Sequence, residues 1–155
     1  MTDTPTSNLR WLLASRPDGR PVHADFRLDQ GYVPTISGTE VLVRHRIVSI
    51  DPYVRGRMSA AESYSRPIEI GSPIAGVALG DVVQSGAPDF APGDTVMIGG
   101  GDLPGGGWQQ FSVAEPGRVR RVDTQGRPAT AFVGPLGMPG FTARGGPTKT
   151  GGRRP

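Results

Sequence analysis

The sequence predicts a mainly β protein, a small, partly open barrel with short helices. Three observations point there. The 155 residues include 24 glycines and 16 prolines, about a quarter of the chain, which interrupts long helices and favours short strands joined by turns. The apolar runs are only a few residues long, and the strongest is rich in β-branched side chains, the composition of strands. Six or seven such runs are separated by turn signals, the layout of a partly open barrel.

Residues 9–15 (LRWLLAS) read as a first strand closed by the Pro17-Asp18-Gly19 turn, and 26–33 as a second, looser one. Residues 40–50 (EVLVRHRIVSI) give the strongest strand signal and are expected at the centre of the barrel. After Asp51-Pro52, residues 53–63 lose strand character and suit a short helix or irregular lobe. Residues 74–84 (IAGVALGDVVQ) return to strand, with Gly76 and Gly80 marking bends or bulges. Pro92-Gly93-Asp94 then turns the chain into a strand at 95–98. Residues 99–107 (GGGDLPGGG) are a loop leading to strands at 108–114 and 118–122, and 128–133 suit a helical turn. Residues 1–8 are expected to be a flexible terminus, 9–143 one domain, and 144–155 a disordered tail with no apolar period.

Composition removes several classes of function. The absence of cysteine removes disulfides, a thiolate nucleophile and cysteine-bound zinc. The polar start and short apolar runs predict neither a signal peptide nor a membrane span, so a cytoplasmic protein is expected. A net charge of +3 comes from scattered arginines, without the arginine and aromatic clustering of single-strand binders, so no nucleic-acid partner is expected. The glycine tract at 99–107 precedes a strand instead of opening a helix, the wrong setting for a dinucleotide fingerprint.

Three segments carry a family resemblance. Ser49-Ile50-Asp51-Pro52-Tyr53-Val54-Arg55-Gly56-Arg57-Met58, the Phe90-Ala91-Pro92-Gly93-Asp94-Thr95-Val96 turn, and Leu136-Gly137-Met138-Pro139-Gly140-Phe141-Thr142-Ala143 together resemble zinc-independent medium-chain dehydrogenases/reductases. The branch is that of leukotriene B4 dehydrogenase, prostaglandin reductase and alkenal double-bond reductases. The first segment departs from the branch pattern S-x-D-P-Y-M-R-G-R-M only at Val54. Where zinc-dependent relatives carry Gly-His-Glu, this chain has Gly71-Ser72-Pro73, and with only His23 and His45 available no metal site is expected.

The resemblance implies a GroES-like amino-terminal domain lacking the α/β Rossmann domain that holds the cofactor. It implies NADP as that cofactor and reduction of the C=C bond of an α,β-unsaturated ketone or aldehyde, an enone or enal. Such chemistry needs two positioned reactants and a hydrogen-bond donor at the oxygen where enolate charge grows. By resemblance Tyr53 is the catalytic candidate; Tyr53, Arg57 and Met58 line the substrate cleft; and Pro52, Met138, Pro139 and Thr142 approach the cofactor.

Asp51 and Pro52 also suit a plain chain reversal, and 137–140 a structural hinge. Gly145, Gly146 and Pro147 should stop the last helix. The chain is therefore expected to be truncated and inactive alone, with weak or absent NADPH binding, whether by gene decay, a frameshift or design as a module. The alternative is a non-enzymatic remnant or protein-interaction barrel that self-associates through the surface a cofactor domain would cover.

Overall fold

A computed structural model describes residues 6–61, 65–99 and 105–145. They belong to two compact units, Met1–Val122 and Asp123–Pro155. The first unit holds β1 (Ser7–Leu13), β2 (Phe26–Tyr32), β3 (Val41–Val48), α1 (Tyr53–Arg57), β4 (Ala78–Ser85), β5 (Thr95–Ile98), β6 (Phe111–Ala114) and β7 (Val119–Arg121). The second holds two helices, α2 (Thr130–Val133) and α3 (Met138–Gly145).

All strand pairs are antiparallel. β1 and β2 form a two-stranded ribbon, and the rest form a sheet in the order β6-β3-β4-β5-β7. The mainly β, partly open barrel of short strands is thus the observed architecture. The β-branched run at 40–50 takes an inner place in the sheet as β3, between β4 and β6. Alternation buries Val43, Val82, Val96 and Ile98 with Val41, Ala78 and Val119 in one cluster, a burial that stabilises by roughly 1.5–3 kcal/mol per large aliphatic side chain. A second cluster, Leu13, Val54, Met58, Ile68 and Ile74, fixes α1 to the barrel.

Gly80 marks the bulge expected of it. Register shifts between His45 and Ile47 opposite Gly80, and a Cβ there would strike the Arg44 carbonyl, so the bent strand tolerates only glycine.

Strand ends shift by one or two residues in several places, as at Leu13 and Val48, and three starts differ for a non-local reason. The strand expected at 74 starts at Ala78, because 73–77 pairs elsewhere. Ile74 N donates to the Trp11 carbonyl at 2.9 Å, Trp108 N to the Ile74 carbonyl at 2.9 Å, and Gly107 N to the Gly76 carbonyl at 2.9 Å. With isolated bridges Leu12 to Pro73 and Arg10 to Gln109, this segment joins the ribbon to the sheet. The strand expected at 108 starts at Phe111, since Trp108 and Gln109 belong to that junction. The terminus expected to be flexible through residue 8 is already strand from Ser7, with Asn8 buried at 2% exposure.

In the second unit the helical turn expected at 128–133 is α2. The expected tail, 144–155, contributes Arg144 and Gly145 to α3, and its remainder lies outside the described residues. Among the described residues no helix is long and apolar enough to cross a membrane.

Candidate functional site

The signature segment at 49–58 is built from the end of β3 outward. Ser49 N donates to the Val77 carbonyl at 2.8 Å, while its hydroxyl accepts from Val77 N at 3.0 Å and donates to Asp51 Oδ2 at 2.5 Å. The Asp51 carbonyl accepts from Val54 N at 3.1 Å, so Asp51 and Pro52 set the reversal that starts α1, with exposed Pro52 at its N-cap. Indole Nε1 of Trp108 donates to the Ser49 carbonyl at 3.2 Å, and Trp108 stacks on Phe26 with ring centroids 6.2 Å apart. The segment therefore stands on a pinned base.

Within α1, Val54 and Met58 are one turn apart and share the buried face. Met58 is 4% exposed and packs in this cluster. Tyr53 packs against the same cluster, and its hydroxyl oxygen is shielded from solvent. Arg55 and Arg57 flank the buried face on its two sides. Arg57 Nε donates to the Arg66 carbonyl at 2.9 Å.

Beside α1 lies a cleft of about 320 Å3, lined by Arg57, Ile68, Glu69, Ser72, Gln109 and the backbone of 105–107 among others. Of the three residues expected at a cleft, Arg57 lines this one. Glu69, Ser72 and Gln109 were missed. Ser72 had a signal, since it stands where zinc-dependent relatives carry a ligand; Glu69 and Gln109 had none, because only the junction of 73–77 with 107–109 brings them here. Among the described residues no three His, Asp or Glu side chains gather about a point where a metal would bind.

The three other residues expected near a cofactor, Met138, Pro139 and Thr142, sit together on α3 of the second unit with exposed side chains. Gly137 and Gly140 serve that unit's own packing. A Cβ at either would strike a backbone carbonyl, of Phe132 or Pro135.

The described residues do not fit the phosphates of a dinucleotide. Such a group needs a glycine-rich turn that leaves a strand and opens a helix, so that aligned amides face it. Here Gly105, Gly106 and Gly107 lead to the bridge at Gln109 and on to β6, α1 follows an Asp-Pro turn, and α2 and α3 follow other helical or irregular segments.

His45 supports the cleft floor from behind. Its Nε2 lies 2.8 Å from Ser112 Oγ, and that oxygen accepts from Gly106 N at 3.3 Å. Burial pushes the His45 pKa down from 6.5 to about 4, against the pull of the Gly107 and Gln109 backbone. The fold therefore favours the neutral ring. Its contribution is complete above the unfolded value of 6.5 and is lost as pH falls towards about 4, at up to about 1.4 kcal/mol per pH unit. Urea denaturation across this window should show the decline in the wild type and a flatter one in His45→Gln. Equal slopes would remove His45 as the source.

With this geometry in place, similarity to known proteins is informative. The family described as the N-terminal domain of oxidoreductase matches residues 9–122, most of the chain and nearly all of the first unit. The chain belongs to this family. As an oxidoreductase N-terminal domain of the medium-chain dehydrogenase/reductase type, it is 41% identical over 136 residues to the NADPH-dependent curcumin reductase of Escherichia coli, covering 88% of this chain and 38% of that protein. It is 31% identical over 147 residues to the NADP-dependent 2-alkenal reductase of Nicotiana tabacum, covering 90% and 40%. Among solved structures it is similar to CurA from Vibrio vulnificus, with a TM-score of 0.81 at 35% identity over 90% of this chain and 40% of that one. The oxidoreductase N-terminal domain thus spans about 40% of the length of these relatives.

Proposed function

We propose that this chain forms the substrate-side wall of an NADP-dependent oxidoreductase that reduces the C=C bond of α,β-unsaturated ketones or aldehydes. The observation that carries the reading is the cleft walled by Arg57 of the signature helix, on a domain whose relatives include curcumin and alkenal reductases. In the proposed chemistry NADPH is the hydride donor, and this chain's residues position the enone and stabilise its oxygen. Arg57, on the cleft wall, supplies a fixed positive charge towards the carbonyl oxygen as enolate character grows. Tyr53 is the proposed hydroxyl donor, from the signature segment it shares with Arg57. Pro52 in the first unit and, separately, Met138, Pro139 and Thr142 in the second are proposed as cofactor contacts.

Because the described residues offer no phosphate cradle, the chain alone is expected to bind NADPH weakly. Two titrations of the purified protein test the reading. Benzylideneacetone should shift amide resonances of Arg57, Ser72 and Gln109 in saturable fashion, and NADPH fluorescence should show no micromolar affinity. Absence of enone-dependent shifts at the cleft would overturn the substrate assignment, and micromolar NADPH binding would overturn the expectation that the chain alone holds the cofactor weakly.

A second reading, self-association, is favoured by the exposure of Leu136, Met138 and Phe141 in the second unit. Light scattering on the same samples separates it, since a strict monomer would exclude it.

A further inference from the structure

Two arginines distant from each other in sequence exchange places across one joint. Arg16, in the loop after β1, donates Nη1 to the Met58 carbonyl at 3.0 Å and Nη2 to the Ile68 carbonyl at 3.2 Å. Arg55, on α1, reaches the other way and donates Nη2 to the Pro17 and Gly19 carbonyls at 3.3 and 2.5 Å, with Nε 3.1 Å from the latter. Each guanidinium thus ties the other's backbone neighbourhood down.

The acceptors are all carbonyls, and they matter for different reasons. The Met58 carbonyl is at the C-cap of α1, where helix carbonyls lack partners within the helix and attract cations. The Ile68 carbonyl belongs to the cleft wall. Ile68 is held at its other polar group as well, since its N–H donates to the Arg57 carbonyl at 2.7 Å. Arg57 Nε in turn holds the Arg66 carbonyl. The planar fork of Arg16 is suited to bridging two carbonyls that come from different segments.

We infer that Arg16 and Arg55 form a reciprocal clasp that fixes the cleft wall at 67–69 against α1, and that Arg16 is the positioning residue setting the width of the cleft. Arg16 is not among the residues lining the cleft, so it acts through Ile68 and Arg57. The ligand consequence rests on the enone reading above, whereas the mechanical one does not.

The experiment follows both on the purified chain. In Arg16→Ala, amide exchange of Ile68 should accelerate about tenfold while that of Val43 in β3 stays unchanged, because the opening is local. The dissociation constant for benzylideneacetone should rise about fivefold, since the wall no longer holds the ligand's geometry. Arg16→Lys, which keeps the charge and reaches one carbonyl at a time, should recover only part of each effect. Arg55→Ala should accelerate Ile68 exchange in the same way from the other side of the joint.

Unchanged Ile68 exchange in Arg16→Ala overturns the clasp. If that variant does not fold, unchanged exchange in Arg16→Lys and Arg55→Ala does so. Accelerated exchange with unaltered enone affinity keeps the clasp and overturns its role in the cleft. If the wild type binds no enone, the function reading fails, and the exchange arm still decides the clasp.

Discussion

Gly106→Ala is expected to destabilise the first unit by about 3 kcal/mol, the sum of roughly 1–2 for a side chain forced into left-handed backbone and 1–3 for overpacking. Gly106 has φ +66, and an added Cβ would stand 2.6 Å from the Gly76 carbonyl oxygen, 2.9 Å from that of Ile98 and 3.1 Å from the Gly99 Cα. All three are backbone atoms, so no side chain can swing away. Two stretches of main chain cross here in direct contact, one from the 73–77 junction and one behind the cleft floor. A shift at this crossing also disturbs the bond from Gly106 N to Ser112 Oγ.

Gly71→Ala is the matched control. Its φ is +85 with nothing within 4 Å of the added Cβ, so it carries the conformational cost alone, about 1 kcal/mol. Urea denaturation of the two variants separates the effects. Equal losses would show that the crossing does not resist the methyl group.

Local chemistry made much of this fold legible. The β-branched run at 40–50 gave a strand and Asp51-Pro52 a reversal, because each depends on neighbours a few residues away, and Gly80 gave a bend through its own lack of a side chain, although the carbonyl it clears is that of Arg44 on β3. Residues 73–77 misled for the opposite reason. Their composition suits a strand, and their backbone partners, Trp11, Gly107 and Trp108, lie tens of residues away in both directions. The site divides likewise. Arg57 lines the cleft beside α1, whereas Met58 packs into the core on the helical turn it shares with Val54. Glu69 and Gln109 carry no motif, and Arg16 sits in a loop whose sequence shows only a turn. What a residue touches across the fold is not written in its neighbours.

Asn8→Leu should be nearly as damaging as Gly106→Ala, also about 3 kcal/mol, because it strands buried backbone groups and does not merely remove a contact. β6 is an edge strand of the sheet. His45 N bonds the Gln110 carbonyl at 2.7 Å, so Phe111, the next residue along, turns its own N–H and carbonyl away from β3. Asn8 meets both. Its Oδ1 accepts from Phe111 N at 2.9 Å and from Gln110 N at 3.1 Å, and its Nδ2 donates to the Phe111 carbonyl at 2.9 Å. One side chain thereby supplies the pairing that a further strand would give, and ties the ribbon to the sheet.

Leucine matches the volume and satisfies neither group. Asn8→Asp keeps the acceptor but sets a carboxylate against the Phe111 carbonyl, so it should lose stability as well, and less of it at a pH low enough to protonate the acid. Serial urea denaturation reads all three proteins. A cost below about 0.5 kcal/mol for Asn8→Leu, the level of an ordinary surface substitution, would mean that the edge of β6 is satisfied without Asn8. The residue would then be a polar terminus in fact as well as in composition.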